Sequence, residues 1–258
     1  MAFPSFAAKH AEQSFVTPAD FLEVVRQGGR LDDLRSLESV VLVYQPKLWR
    51  TVAEWPDARV PEGAPFGGLQ VLGRTGDRVG VAGGFGIGAP AASVLLEGLV
   101  AAGVRRCVSV GTAGALQPDS AIGRVVLCTG AVRDEGVSHH YIPADVPARP
   151  SPLLTEALGA AFSGRGLAFE RGPTWTIDAP YRETVAELRH YQAAGVRSVE
   201  MEAAALFAVG QVREIEVAAA FCYSDLLAGP KWEPHFGSPV VADALDHLLA
   251  AAVATLEG

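Results

Sequence analysis

The segment Ser198–Gly210, SVEMEAAALFAVG, sets two carboxylates, Glu200 and Glu202, around Met201 and then runs straight into small apolar residues. An acid in the first turn of a helix has an ordinary use, because it favours the positive end of the helix dipole. The apolar run reads as buried, however, and a carboxylate leading into a buried helix needs a partner. A cis-diol is a good one: one carboxylate can accept from both hydroxyls, each charge-assisted bond contributing about 1.5–3 kcal/mol. In a strand the two glutamates would share a face, and in a helix they would lie about 200° apart. Their spacing alone therefore does not put both in one pocket. A third carboxylate, Asp225 in FCYSDLL, follows very apolar residues. It is either a turn or N-cap residue or a partly desolvated acid able to give a proton.

Glycines supply a second kind of chemistry. In GGFGIGAP, Gly83–Pro90, they sit between a strand-like and a helix-like segment, where backbone N–H groups can approach an anion at a helix N-terminus. Gly84 to Ala89 also fits the dinucleotide pattern GxGxxG/A. That reading wants an acid at the end of the next strand, and the next strand ends SVGTAG. A small-anion or sugar site and a tight packing turn are the readings that remain.

These residues need a frame, and the apolar pattern provides one. Strand-like SVVLVY, RVGVAGG, RCVSVGTAG, RVVLCTGAV and EVAAAFCYSD alternate with helix-like segments. TPADFLEVVRQGG has Thr17 as N-cap, Pro18 at the first helical position and Gly28-Gly29 as its stop. Helices also open at Pro90 and at Ser151-Pro152, and the last one puts Leu245, Leu248, Leu249, Ala252, Val253 and Leu256 on one face. Strands this apolar are covered on both sides, so a largely parallel sheet flanked by helices is expected. Ligands in such sheets bind beyond the carboxyl ends of strands, which selects Gly83–Gly88, Gly111–Gly114 and Ser224-Asp225. RDEGVSHHYIPADVPARP reads as a long loop in which Arg133–Gly136 form an ion-paired turn. No linker interrupts the pattern, so residues 1–258 are read as one domain.

Composition narrows the partners. The 258 residues carry 21 Lys+Arg and 29 Asp+Glu, a net charge of −8, with no basic cluster, which argues against nucleic acid and anionic membranes. Cys107, Cys128 and Cys222 are scattered in apolar segments and read as reduced core thiols. His139-His140 lack metal-like partners, so no metal site is expected. The start shows no secretory pattern and no run reaches membrane-span length, so a cytoplasmic protein is expected.

GFGIGAPAA, SVGTAGAL, VEMEAAALFAV and YSDLL, in this order, resemble the nucleoside phosphorylase-I superfamily, whose members include purine nucleoside phosphorylases, uridine phosphorylase and related nucleosidases. The resemblance runs from about Val40 to the C-terminus. It implies a single α/β domain around a mixed, largely parallel, twisted and partly closed sheet, in homo-oligomers built from dimers, up to hexamers. It also implies cleavage of an N-glycosidic bond, with phosphate as co-substrate and no other cofactor. By resemblance Glu202 holds the ribose hydroxyls, Met201 packs on the sugar, and Glu200 lies near the base. Thr112 touches phosphate and sugar, with Gly86 and Gly88 in the phosphate loop. Ala113 and Gly114 line the base, Trp175, Pro180 or Tyr181 wall it, and Asp225 protonates a purine at N7. The expected reaction is phosphorolysis of a purine nucleoside. The alternatives are hydrolysis by a nucleosidase and a non-catalytic nucleoside-binding or storage relative.

Three departures stand out. Ser109 occupies the position of a phosphate-binding arginine. VYQPKLWR replaces a GDPxR-type loop, with Lys47 or Arg50 as possible substitutes. Lys231 stands where purine-specific relatives often carry an arginine. His10 resembles a histidine that some relatives lend to a neighbouring subunit.

Overall fold

Strands β1 (Ser39–Val43), β4 (Val79–Ala82), β5 (Arg106–Ala115) and β9 (Glu216–Leu226) are buried along nearly their whole lengths, as expected where helices cover both faces of a sheet. The computed structural model describes residues 3–4, 6, 8–27, 34–61 and 68–258. The remaining described strands are β2 (Ala58–Arg59), β3 (Leu69–Leu72), β6 (Val125–Asp134), β7 (Phe169–Ile177), β8 (Ser198–Glu200) and β10 (Glu233–Pro234). They form one sheet in the order β10-β9-β6-β7-β8-β5-β1-β4-β3-β2, and β9 also pairs with β5. That extra pairing closes β5, β9, β6, β7 and β8 into a ring, from which β1, β4, β3 and β2 extend as an open wing. Parallel pairing joins β5 to β1 and β9, β1 to β4, and β7 to β6 and β8. Antiparallel pairing joins β5 to β8, β6 to β9, and the outer strands to their neighbours.

The described α-helices are α1 (Pro18–Gln27), α2 (Pro46–Ala53), α3 (Ala89–Ala102), α4 (Ser138–Tyr141), α5 (Pro152–Gly164), α6 (Val185–Ala193), α7 (Ala203–Arg213) and α8 (Pro239–Glu257). Their starts follow local chemistry. Thr17 and Asp20 bond reciprocally at the head of α1, Thr184 and Glu187 form a capping box on α6, and proline opens α1, α2, α5 and α8. The predicted stop of α1 at Gly28-Gly29 lies outside the described residues.

Helices α3 and α7 pack side by side. Arg213 Nε donates to Glu97 Oε2 at 2.8 Å and Tyr141 Oη donates to Glu97 Oε1 at 2.8 Å, which ties the far ends of the two helices together. Helix α8 has the length and apolar character of a membrane span. Its Leu245, Leu248, Leu249, Ala252, Val253 and Leu256 are nevertheless buried in the core beside β1, β5 and β9. The loop after β6 differs from expectation in detail. Arg133 makes no turn with Asp134 and Glu135 through ion pairs. It donates to the carbonyls of Ile142, Pro143 and Val146 at 2.6–2.8 Å, so the guanidinium satisfies main chain that the loop cannot pair for itself.

Candidate active site

Glu200 and Glu202 divide two tasks. Glu200 ends β8, and its Oε2 accepts from the N–H groups of Glu202 and Ala203 at 2.7 Å each. Its Oε1 accepts from Thr176 Oγ1 at 2.5 Å, and Thr176 in turn accepts from Ala204 N at 3.0 Å. The open N–H groups at the head of α7 are thus satisfied by one carboxylate and one hydroxyl. This leaves Glu202, the N-cap residue itself, free to face elsewhere. Its Oε1 accepts from Gly88 N at 2.5 Å, across the sheet at the head of α3.

That contact explains the glycines. Gly84, Gly86 and Gly88 have φ of 72°, 102° and 91°, conformations that L side chains rarely adopt. At Gly88 it is this conformation that selects glycine, since a Cβ there would meet the Met201 methyl only at an ordinary 3.9 Å. Burial raises the Glu202 carboxyl, the neighbouring Glu200 charge raises it further, and the Gly88 and Met201 main-chain bonds oppose the shift. Glu200 is raised by burial too, but its hydrogen-bond donors hold it down. Burial thus raises both carboxyls, and a ligand bringing two hydroxyl donors would favour the charged form of Glu202.

A second group is built around Asp225, at the carboxyl end of β9. Its Oδ1 accepts from Ser224 Oγ at 2.7 Å and its Oδ2 from Trp232 Nε1 at 2.8 Å. The strand wall is Gly114, where a Cβ would lie 2.3 Å from Leu227 Cδ1 and 3.1 Å from Asp225 Oδ2. Only glycine lets both side chains come this close. Ala113, one residue earlier, is buried. A carboxylate that the sequence did not single out belongs here as well. Glu183, between the turn Pro180–Arg182 and α6, is pushed up to about 7 by burial, by the Asp225 charge and by Glu187. Its position in a loop, with no apolar pattern on either side, left no signal beyond its type. Trp232, also unforeseen, takes the place that Lys231 was expected to fill; Lys231 is exposed.

A third group lies at the carboxyl ends of β1 and β5. Tyr44 Oη and Ser109 Oγ are 2.9 Å apart, and Gln45 Nε2 donates to Thr112 Oγ1 at 3.1 Å. The Tyr44 ring meets Phe85 of the glycine loop edge-on, with centroids 5.4 Å apart. Burial, and next the Glu202 charge, raise the Tyr44 phenol well above its ordinary value, so it stays protonated. Lys47 and Arg50 lie on α2 as exposed residues.

Of the expected site residues, Glu202 and Met201 thus meet Gly88, two residues after Gly86 in the glycine loop, and Thr112, Ala113 and Gly114 run beside β9 with Gly114 opposite Asp225. Two expected contacts are corrected. Trp175 is 0 % exposed and donates to Asp134 Oδ2 at 2.9 Å. It packs on Tyr191 at 4.6 Å in a satellite core and does not wall the base. Tyr181 is 100 % exposed, because the Pro180–Arg182 turn faces outward. Glu200 has its Oε2 on the head of α7 and its Oε1 on the Thr174 and Thr176 hydroxyls of β7. His10 Nε2 lies 3.0 Å from His139 O of its own chain. Among the described residues no cluster of metal-ligating side chains occurs.

The sequence model of the Phosphorylase superfamily matches residues 40–254. A guanosine phosphorylase of Halorubrum lacusprofundi is 37% identical over 147 residues, covering 56% of this chain and 60% of that protein. A uridine phosphorylase of Haemophilus influenzae is 35% identical over 136 residues, covering 47% of this chain and 54% of that protein. The chain thus spans little more than half the length of the curated relatives it matches. The crystal structure of a uridine phosphorylase from Vibrio fischeri ES114 superposes with a TM-score of 0.69 at 24% identity, covering 87% of this chain and 93% of that one. This likeness speaks for the fold. Because the family match takes in every strand from β1 to β10 together with the glycine loop, Glu202 and Asp225, the chain belongs to the phosphorylase superfamily.

Proposed function

We propose that the protein cleaves the N-glycosidic bond of a nucleoside, transfers the ribosyl group to phosphate, and prefers a purine as leaving base. What supports this reading is a pair of carboxylates at the carboxyl side of the sheet: Glu202 held by Gly88 N of the glycine loop, and Asp225 at the end of β9, paired with Gly114 of β5. The C1′–N bond breaks through a state resembling an oxocarbenium ion. Glu202 accepts from the ribose 2′ and 3′ hydroxyls, and its charge favours the cation developing on the sugar. Met201 covers the sugar face beside Gly88. Asp225 gives a proton to N7 as the bonding electrons move onto the purine. Thr112 and the glycine loop hold the acceptor, and no cofactor takes part. Support comes from the guanosine phosphorylase among the relatives.

A second reading, uridine as substrate, draws on the uridine phosphorylases among them. A panel of guanosine, inosine, adenosine and uridine with phosphate, followed by base release, separates the two. A faster rate on uridine overturns the purine preference, and no release from any of the four overturns the activity. We further propose a dimer-based homo-oligomer in the cytoplasm, in keeping with exposed Phe15, Phe21 and Val94 and three buried free cysteines. A monomer in sedimentation at micromolar concentration removes the oligomer.

A further inference from the structure

Two bonds hold the Asp225 carboxylate, and they differ in kind. Ser224 Oγ donates to Oδ1 at 2.7 Å. A hydroxyl can also accept, so this bond can reverse when the acid carries a proton. Trp232 Nε1 donates to Oδ2 at 2.8 Å, and an indole N–H only donates. That bond favours the charged carboxylate and works against proton uptake. An acid that must give a proton to a leaving base is thus held, in the free protein, in the form that has none to give.

The indole is placed so that it can let go. Trp232 is 59 % exposed, whereas Asp225 is 7 % exposed. The segment 227–232 that carries it is tied near its two ends by main chain: Leu227 N donates to Ala115 O at 2.9 Å and His235 N to Ser224 O at 2.8 Å. Between this segment and α6 lies a cavity of about 410 Å³, lined by Trp232, Leu227, Val185 and Leu188 among others. The ring therefore has room to leave Asp225 while β10 stays paired with β9.

We propose that Trp232 is a positioning residue that acts through Asp225: its N–H restrains the acid in the free protein, and turnover requires the indole to turn off Oδ2 toward the cavity beside α6. With that bond gone, Asp225 takes a proton from solvent and passes it to the base as the C1′–N electron pair moves onto the ring. It ends as a carboxylate that the indole can hold again. This rests on Asp225 acting as the general acid of the reaction proposed above. The titratable groups on the elements beside Asp225 are Glu183 before α6, Glu187 and Arg189 on it, and Lys231, Glu233 and His235 after β9.

Trp232→Phe keeps a ring and loses the N–H, and all six of those groups are common to wild type and variant. Both proteins are given guanosine and phosphate, and kcat/KM is followed against pH. The limb that falls with rising pH is expected to lie about one pH unit higher in the variant, which is about tenfold more activity at a fixed pH on that limb. The displacement persists when both proteins carry Glu183→Gln, and it is absent on a nitrophenyl riboside, whose leaving group needs no proton. In an Asp225→Asn background Trp232→Phe changes nothing on guanosine, because no acid is left to restrain. A profile that drops in height without moving overturns the restraint, since lost packing or a lost substrate contact lowers the rate at every pH alike. A displacement that survives Asp225→Asn runs through another group and overturns it as well. Wild type that turns over guanosine with a profile unmoved by Trp232→Phe removes this proposal alone; wild type that releases no base removes the reaction on which it rests.

Discussion

The two ends of the cleft are built from different material. The proposed sugar end is held by secondary-structure termini: Glu200 caps α7, Glu202 receives the N–H at the head of α3, and Thr176 of β7 bonds Glu200 and the head of α7. Nearly every bond there has main chain on one side. The proposed base end combines strand and loop: Asp225 and Ser224 stand on β9, while Trp232 and Glu183 come from loops. Asp225 is bonded by Ser224 and by Trp232, which is itself 59 % exposed, and Glu183 approaches from a turn. On the proposed reaction, the sugar end is thus fixed largely by main chain, whereas the base end leans in part on Trp232 and Glu183, loop residues that can change without disturbing a strand.

If that division is right, losses at the base end should depend on the leaving group and those at the sugar end should not. Asp225→Asn is expected to reduce kcat/KM on guanosine by about 10²–10⁴-fold, the usual range for a general acid. It should have a far smaller effect on a nitrophenyl riboside, whose leaving group needs no proton. Equal losses on the two substrates would return Asp225 to a structural role. Glu202→Gln keeps size and the Gly88 contact but loses charge. A fall of about 10²–10³-fold, a few kcal/mol of transition-state stabilisation, should appear on both substrates alike, and retention of more than about a tenth of wild-type kcat/KM would break the comparison at its sugar end.

Two smaller effects sharpen it. Glu200→Ala uncaps α7 and leaves the Glu202 and Ala203 N–H groups unsatisfied, so chemical denaturation should show about 2–3 kcal/mol less stability. An unchanged midpoint would mean that water replaces the cap without cost. Glu183 has its carboxyl raised from 4.5 to about 7 in the folded chain. The folded state therefore binds its proton more tightly than the unfolded state, and the group makes stability fall as pH rises between those values. Glu183→Gln removes that dependence. The Tm of the variant should gain on wild type between pH 5 and pH 8, and a constant difference across that range would show that Glu183 titrates normally.

The same contrast governs what was legible in the sequence. Glu202, the glycine loop and Asp225 sit where an apolar run stops, so their burial was implied by their neighbours. The alternation of apolar segments predicted the layers, but not that β9 returns to pair with β5, because closure of a ring depends on strands far apart in the chain. The spacing of Glu200 and Glu202 raised the question of their roles without deciding it. Only the donors around Glu200, two of them from β7, separate a helix cap from a ligand group. The resemblance offers Trp175 for the base wall; its position on β7 turns it into the core against Tyr191 instead. Glu183, Trp232 and Gln45 lie in or next to loops, where neither period nor capping pattern constrains a side chain.

The ring formed by β5, β9, β6, β7 and β8 has a consequence for how this cleft can change over evolutionary time. Thr112, Thr176, Glu200 and Asp225 all stand on its strands, and a closed ring has no free edge at which one strand can slip in register without dragging its neighbours. An insertion within any of these strands would shift several of those residues at once. Lengthening the turn at 178–184 or the hairpin at 227–232 would shift none of them. Substrate range is therefore expected to drift among relatives through loop length, while the spacing of the ring carboxylates stays locked.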